Sequence, residues 1–196
     1  PSFGYRPRDI RNGLAMPPKL SIKNVIQVLK RPEWALKTLI NGQPSFEVLK
    51  PYMPKSLNLK QLAKFMDSTF SGRLNEEKIK KLRDSWKGKL VIKGTESIDD
   101  IEKAYKLGVD GVIISNHGGR QVDVGQATVD SLKTIAPIYK GKLKIMMDSG
   151  IRGGADVARV LGVGADFTFL GRSFMYGVSA LGSKGGTHTI SVIKKQ

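Results

Sequence analysis

Cysteine is absent from the 196-residue chain. That absence excludes disulfides, cysteine-ligated zinc or iron–sulfur centres and thiol nucleophiles, and it suits a reducing compartment. No apolar run approaches the roughly 18 residues that a membrane-spanning helix requires. The N-terminus, Pro1 to Arg6, has neither an initiator Met nor the apolar stretch of a signal peptide, so the chain is expected to start inside a longer one. Aromatic residues are sparse at 7% and no RNA- or DNA-reading motif is visible, which argues against a nucleic-acid partner. Acidic residues are also few: 33 Lys and Arg stand against 17 Asp and Glu, a net charge of +16. Such a charge suits anionic ligands or an anionic membrane surface, and equally simple solubility. Residues 19–70 carry nine basic and three acidic residues, whereas residues 91–142 carry seven of each. The excess therefore lies largely outside the segment that holds the histidine singled out below.

The chain changes texture near residue 88. Before it, eight prolines (1, 7, 17, 18, 32, 44, 51 and 54) cut the sequence into short pieces with no buried-strand pattern. Helical apolar spacing runs from Ile22 to Leu29 and from Trp34 to Ile40. Two further helices are predicted, one from Asn58 to Met66 and one from Asn75 to Arg83, each opened by an asparagine cap. From Lys89 onward, apolar runs alternate with helical stretches. The runs are 90–92, 111–114, 143–147 and 167–170; the helices are 98–107, 128–136, 155–161 and 174–181. This βαβαβαβα rhythm is that of a parallel sheet covered by helices. It fits half of an eight-stranded (β/α) barrel, and a doubly wound sheet as the alternative. The barrel is preferred because Lys93, Ser115-Asn116-His117, Asp148-Ser149-Gly150 and Gly171-Arg172 all fall at C-terminal ends of strands, the face on which barrel active sites lie.

Three segments carry candidate chemistry. In Ser115-Asn116-His117-Gly118-Gly119-Arg120, the histidine can accept a proton near neutral pH. The glycines leave room for a flat ligand, and Arg120 offers a planar fork matched to a carboxylate. On His117 and Arg120 alone, a structural histidine is the plainer account. Asp148-Ser149-Gly150-Ile151-Arg152-Gly153-Gly154 before a helix reads as an anion cradle, with Gly171-Arg172 after the last strand as its neighbour; a set of tight turns is the plainer account. Lys93 is a fixed cation that could stabilise negative charge, or a lysine snorkelling from a strand end.

The runs ISNHGGRQVD, MMDSGIRGGADVARVLGVGAD and FLGRSFMYG, with VIKG upstream, resemble the FMN-dependent 2-hydroxy-acid dehydrogenase and oxidase family over essentially the whole chain. The resemblance implies an α/β fold, a (β/α)8 TIM barrel of which this chain supplies the C-terminal half, strands 5–8. Residues 1–18 then follow barrel strand 4, residues 19–70 form the variable basic helical loop, and residues 71–196 form the FMN-binding half-barrel. It implies FMN as cofactor, His117 as the base, Arg120 and Arg6 as the carboxylate clamp, and Lys93 at the flavin N1–O2 edge. Ser115 would lie beside the flavin. Asp148, Ser149, Gly150, Arg152, Gly171 and Arg172 would fall where the phosphate and ribityl chain are held. His117 would remove the hydroxyl proton as hydride passes to flavin N5, or the α-proton to leave a carbanion. His188 reads as a surface residue.

The pattern RPEWALKTLINGQP is similar to the membrane-associated L-lactate dehydrogenases. The expectation is oxidation of a small L-2-hydroxy acid, L-lactate to pyruvate, with electrons passing to a quinone or cytochrome of a respiratory chain. The enzyme is expected to be cytoplasmic or peripheral on the inner face of the cell membrane, and a homo-oligomer at full length. A helical flap packed on the barrel is the plainer account of residues 19–70. A soluble oxidase of the glycolate or lactate oxidase type using oxygen, or a related FMN barrel such as a diphosphate isomerase, is the alternative function. The family aspartate that orients the histidine would precede Pro1, so these 196 residues alone are expected to be inactive.

Overall fold

The computed structural model describes residues 11, 21–42, 47–53, 61–62, 65, 68–69, 74–120 and 124–196. The chain divides into two compact units, Pro1–Arg73 and Leu74–Gln196.

In the first unit, helix α1 spans Ile22–Leu29 and helix α2 spans Pro32–Asn41. Ser21 opens α1 by accepting a hydrogen bond from the Asn24 N–H at 3.2 Å, which satisfies one of the free donors of a helix start. Pro32 opens α2, where its missing N–H costs nothing. A 3-10 helix at Glu47–Tyr52 was not legible as a helix in the sequence, because Pro51 lies within it. Neither α1 nor α2 buries a residue: Ile22, Leu29, Leu39 and Ile40 are all more than 70% exposed. The helix predicted from Asn58 to Met66 falls mostly outside the described residues.

In the second unit, α3 (Glu76–Ser85) leads into a βα alternation: β1 (Val91–Thr95), α4 (Ile98–Lys106), β2 (Gly111–Ile114), α5 (Thr128–Tyr139), β3 (Lys144–Met147), α6 (Gly154–Val163), β4 (Phe167–Thr168), α7 (Arg172–Leu181) and, after a 3-10 turn at Gly182–Lys184, α8 (Gly185–Lys195). The strands form one parallel sheet in the order β1-β2-β3-β4. Each strand pairs with the next in sequence, always on the same side. That is the winding of a (β/α)8 barrel, of which the sheet is one half, whereas a doubly wound sheet reverses at its switch point.

Register explains the core. Val112 pairs with Ile145 and Ile114 with Met147. Side chains alternate between sheet faces, so these four share one face. They bury it against Ile101 and Ala104 of α4, Leu132, Ile135 and Ala136 of α5, and Val160 of α6. The other face carries Ile113 and Met146, and at its margins Val91 and Phe167 are exposed.

A repeated device closes the end of the sheet away from the candidate site. Gly108 ends α4 at φ 72° and Gly164 ends α6 at φ 128°, a conformation glycine takes without penalty. Two residues later, Asp110 accepts a hydrogen bond from the Leu90 N–H and Asp166 from the Ile145 N–H, both at 2.9 Å. Asp110 also pairs with Lys89 at 2.7 Å and Arg83 at 3.0 Å. The Lys89 and Leu90 hydrogen bonds hold its pKa down to about 2.

Three details differ from the sequence reading. Strand β1 continues past Lys93, with a bulge that skips Gly94 at φ 96°. Helix α5 continues through Pro137 to Tyr139, because burial of Tyr139 and of Leu132, Ile135 and Ala136 outweighs the lost hydrogen bond. Helix α8 begins with two glycines and has little helical signal, yet its Gly185 packs directly on the Gly177 backbone of α7, an approach that no side chain would allow.

Candidate active site

Four strand ends bring the candidate residues together. Lys93 comes from β1, Ser115 to Arg120 follow β2, Asp148 to Arg152 follow β3, and Phe169 to Arg172 follow β4. Between them lies a hollow of about 340 Å³ lined by Lys93, His117, Arg120, Asp148, Gly150, Arg152, Gly171 and Arg172, with Phe169 and Met175 as apolar wall. A neighbouring hollow of about 430 Å³ shares Gly118, Ser149, Arg152 and Arg172 and extends toward Thr128, Asp156 and Arg159.

The strongest electrostatic feature is a carboxylate held by a lysine and a serine. Asp148 Oδ2 pairs with Lys93 Nζ at 2.7 Å, and Asp148 Oδ1 accepts from the Ser149 hydroxyl at 2.7 Å. The Ser115 hydroxyl joins the same cluster by accepting from Lys93 Nζ at 2.7 Å. Burial pushes the Asp148 carboxyl up, but the hydrogen bonds from Lys93, Ser115 and Ser149, with the Lys93 charge, outweigh it and leave the pKa below the ordinary carboxylate value. Asp148 is thus ionised and committed. The remaining charged lining groups, Arg120, Arg152 and Arg172, are all cations.

The loop after β2 is wound left-handed over three residues: His117 at φ 58°, Gly118 at 66° and Gly119 at 70°. For a histidine this conformation is uncommon and strained. The turn is held on several sides. The His117 N–H donates to Ser115 Oγ at 3.1 Å, the Gly118 N–H to Ser149 Oγ at 3.0 Å, and the Gly119 N–H to Asn116 Oδ1 at 3.2 Å. Arg172 donates to the Gly118 carbonyl at 2.7 Å. The imidazole of His117 and the guanidinium of Arg120 are left exposed.

The helix starts differ in what they offer an anion. N–H groups at the start of α6 are already engaged: Asp156 accepts from the Arg152 and Gly153 N–H groups at 3.0 and 3.3 Å, and Gln196 accepts from the Gly154 N–H at 2.9 Å. Among the described residues no side chain caps α7, whose N-cap residue is Gly171. A side chain added at Gly150 or Gly171 would meet nothing within 4 Å, so both stand on open space. The hollow therefore suits a ligand with two negatively charged ends or a flat anionic body approaching backbone N–H groups.

A family model described as FMN-dependent dehydrogenase matches residues 1–196. The chain belongs to the FMN-dependent dehydrogenase family. Among the relatives, an L-lactate dehydrogenase of Haemophilus influenzae (strain PittEE) is 36% identical over 197 residues, covering 100% of this chain and 51% of that protein. An L-lactate dehydrogenase of Vibrio cholerae serotype O1 (strain M66-2) is 36% identical, covering 100% and 52%. The chain thus spans about half the length of the curated relatives it matches. Among solved structures, the monotopic membrane protein (S)-mandelate dehydrogenase superposes with a TM-score of 0.87 at 32% identity, covering 98% of this chain and 50% of that one. A mandelate oxidase superposes with a TM-score of 0.61 at 28% identity, covering 63% and 35%.

Within this family member, the structure gathers Lys93, Ser115, His117, Arg120, Asp148, Ser149, Gly150, Arg152, Gly171 and Arg172 around the two adjoining hollows. Arg6 lies outside the described residues. Two supporting roles escaped the sequence reading. Buried Thr128 donates to the Asp148 and Ser149 carbonyls at 3.1 and 3.3 Å, pinning the end of β3. Asn116 donates to the Gln126 carbonyl at 3.2 Å, closing the loop after β2. A threonine in the first turn of a predicted helix was the only local signal for the former; nothing local marks the latter.

Proposed function

We propose that this chain is the C-terminal half of the catalytic barrel of an FMN-dependent L-2-hydroxy-acid dehydrogenase that oxidises L-lactate to pyruvate. One observation carries the reading: an exposed histidine, held in a left-handed turn, faces a hollow whose charged groups are cations except for one already paired carboxylate.

In this reading the Arg120 guanidinium binds the substrate carboxylate through its planar fork, with Arg6 as the second arm. His117 takes a proton from the substrate, and its strained backbone keeps the imidazole over the hollow. Arg172, Arg152 and the open backbone at Gly150 and Gly171 hold the phosphate and ribityl chain of FMN, whose isoalloxazine ring accepts the two electrons when bound. Lys93, fixed by Asp148 and Ser115, supplies positive charge at the site where negative charge accumulates. Phe169 and Met175 form one apolar wall of the hollow.

The electron acceptor in this proposal belongs to a respiratory chain, as a quinone or a cytochrome. The more complete likeness to a monotopic membrane dehydrogenase than to a mandelate oxidase supports this over direct use of oxygen. The first unit supports the same choice. Ile22, Leu29, Trp34, Leu36, Leu39 and Ile40 are exposed on helices that also carry Lys23 and Lys37, with Lys30 and Arg31 between them. Exposed apolar and basic side chains on short helices suit attachment to an anionic membrane surface at the inner face of the cell membrane. We further propose residues 1–18, 19–70 and 71–196 as the functional divisions, and a homo-oligomer as the working state.

The test is anaerobic mixing of the holoenzyme with L-lactate. Bleaching of the visible flavin band, followed by re-oxidation with a quinone or dye faster than with oxygen, is the expected result. A flavin that bleaches but returns its electrons chiefly to oxygen would make the protein an oxidase. No bleaching with any L-2-hydroxy acid would remove the reading altogether.

A further inference from the structure

Two left-handed turns face each other across the site. One is His117-Gly118-Gly119; the other is Ser149-Gly150, at φ 75° and 84°. Glycine takes such backbone without penalty, and Gly150 shows that it does so here. Ser149 does not have that freedom, so its side chain must return something for the strain. Its hydroxyl accepts from the Gly118 N–H at 3.0 Å and donates to Asp148 Oδ1 at 2.7 Å. Ser115 is built the same way. Its buried hydroxyl accepts from Lys93 Nζ at 2.7 Å and from the His117 N–H at 3.1 Å, and Lys93 in turn pairs with Asp148 Oδ2 at 2.7 Å. Each of two consecutive backbone N–H groups of the histidine turn is thus joined through a serine hydroxyl to the same carboxylate, directly by Ser149 and by way of Lys93 from Ser115.

We infer that Ser149 is a positioning residue which, with Ser115, ties the strained His117–Gly118 turn to the Asp148 carboxylate, so that the histidine and Lys93 are placed by one shared anchor. This rests on the reading of His117 as the base. Neither serine needs to touch substrate. Their work is to keep the imidazole in a geometry its own backbone would leave, and a small displacement at a proton-transferring group costs rate rather than binding.

The test uses the holoenzyme and the rate of anaerobic flavin bleaching by saturating L-lactate, expressed per bound flavin. Ser149→Ala keeps the strain and loses both hydrogen bonds, and should bleach about tenfold more slowly with unchanged FMN content. Ser149→Gly relaxes the backbone, which protects folding, yet should also be slow because the link to Asp148 is gone. In an Asp148→Asn background, Ser149→Ala should add little, since the anchor is already weakened. Bleaching of Ser149→Gly at the wild-type rate would overturn the inference, as would multiplicative effects of the two substitutions. Loss of FMN with a normal rate per bound flavin would do the same, by making Ser149 a cofactor-retention residue. Failure of the wild-type flavin to bleach with any L-2-hydroxy acid would overturn the assignment of His117 and this inference with it. That outcome is separate from a wild-type enzyme that bleaches while its serine variants match it.

Discussion

Lys93 Nζ lies 2.7 Å from Asp148 Oδ2, joining the first and third strands of the sheet over the end of the second. Burial is the largest influence on the Asp148 carboxyl, and it is overcome by hydrogen bonds from Lys93, Ser115 and Ser149 together with the Lys93 charge. Replacing the lysine by Met therefore leaves burial less opposed, and the Asp148 pKa should rise. Carboxyl chemical shifts across a pH titration of Lys93→Met would show it. An Asp148 pKa at or below the wild-type value would mean that the serines alone hold the charge.

His117→Ala in the holoenzyme should keep FMN, because the hollow's cations and open glycine backbone remain. Its flavin reduction by L-lactate should fall by roughly a hundredfold to ten-thousandfold, the usual contribution of a positioned general base. Stopped-flow absorbance measures this directly, and a rate near wild type would remove His117 from the mechanism.

Arg120→Lys retains the charge and loses the two-point fork. The expected result is a drop in kcat/KM of about tenfold to a hundredfold, corresponding to about 1.4 to 2.7 kcal/mol of transition-state stabilisation. Steady-state kinetics with L-lactate would check it; an unchanged kcat/KM would place the substrate carboxylate elsewhere.

Asp110 makes stability depend on pH. Its folded pKa is about 2, below the unfolded value of roughly 3.9, so its contribution is present above about pH 4 and is lost as the pH falls toward 2. Asp110→Asn should therefore lower the unfolding midpoint at neutral pH and converge on the wild type in acid. Urea unfolding at a series of pH values would reveal a constant gap if the Lys89 and Arg83 contacts were unimportant.

Replacing residues 19–70 with a short linker should move the enzyme to the soluble fraction while dye-linked activity survives. Sedimentation with anionic liposomes is the measurement. Wild-type protein that ignores such liposomes would make this segment a flap rather than a membrane contact.

Much of the architecture was legible in the sequence, because local physics dictates it. Short apolar runs alternating with helical stretches marked all four strands and the helices between them, and Asn75 opens a helix where capping chemistry said it would, accepting from the Lys78 N–H at 3.0 Å. Motif order placed His117, Arg120, Asp148 and Arg172 at strand ends, and strand ends of consecutive parallel strands meet by necessity. Tertiary structure decided what spacing cannot encode. Helix α8 exists because Gly185 fits against Gly177, a contact with no local signature. That Asp156 and Gln196 engage N–H groups at the start of α6, whereas no side chain among the described residues caps α7, depends on which side chains fold back. The commitment of Asp148 to Lys93, Ser115 and Ser149 joins residues up to 55 positions apart in the chain, and only the parallel pairing of β1, β2 and β3 brings them within hydrogen-bonding distance.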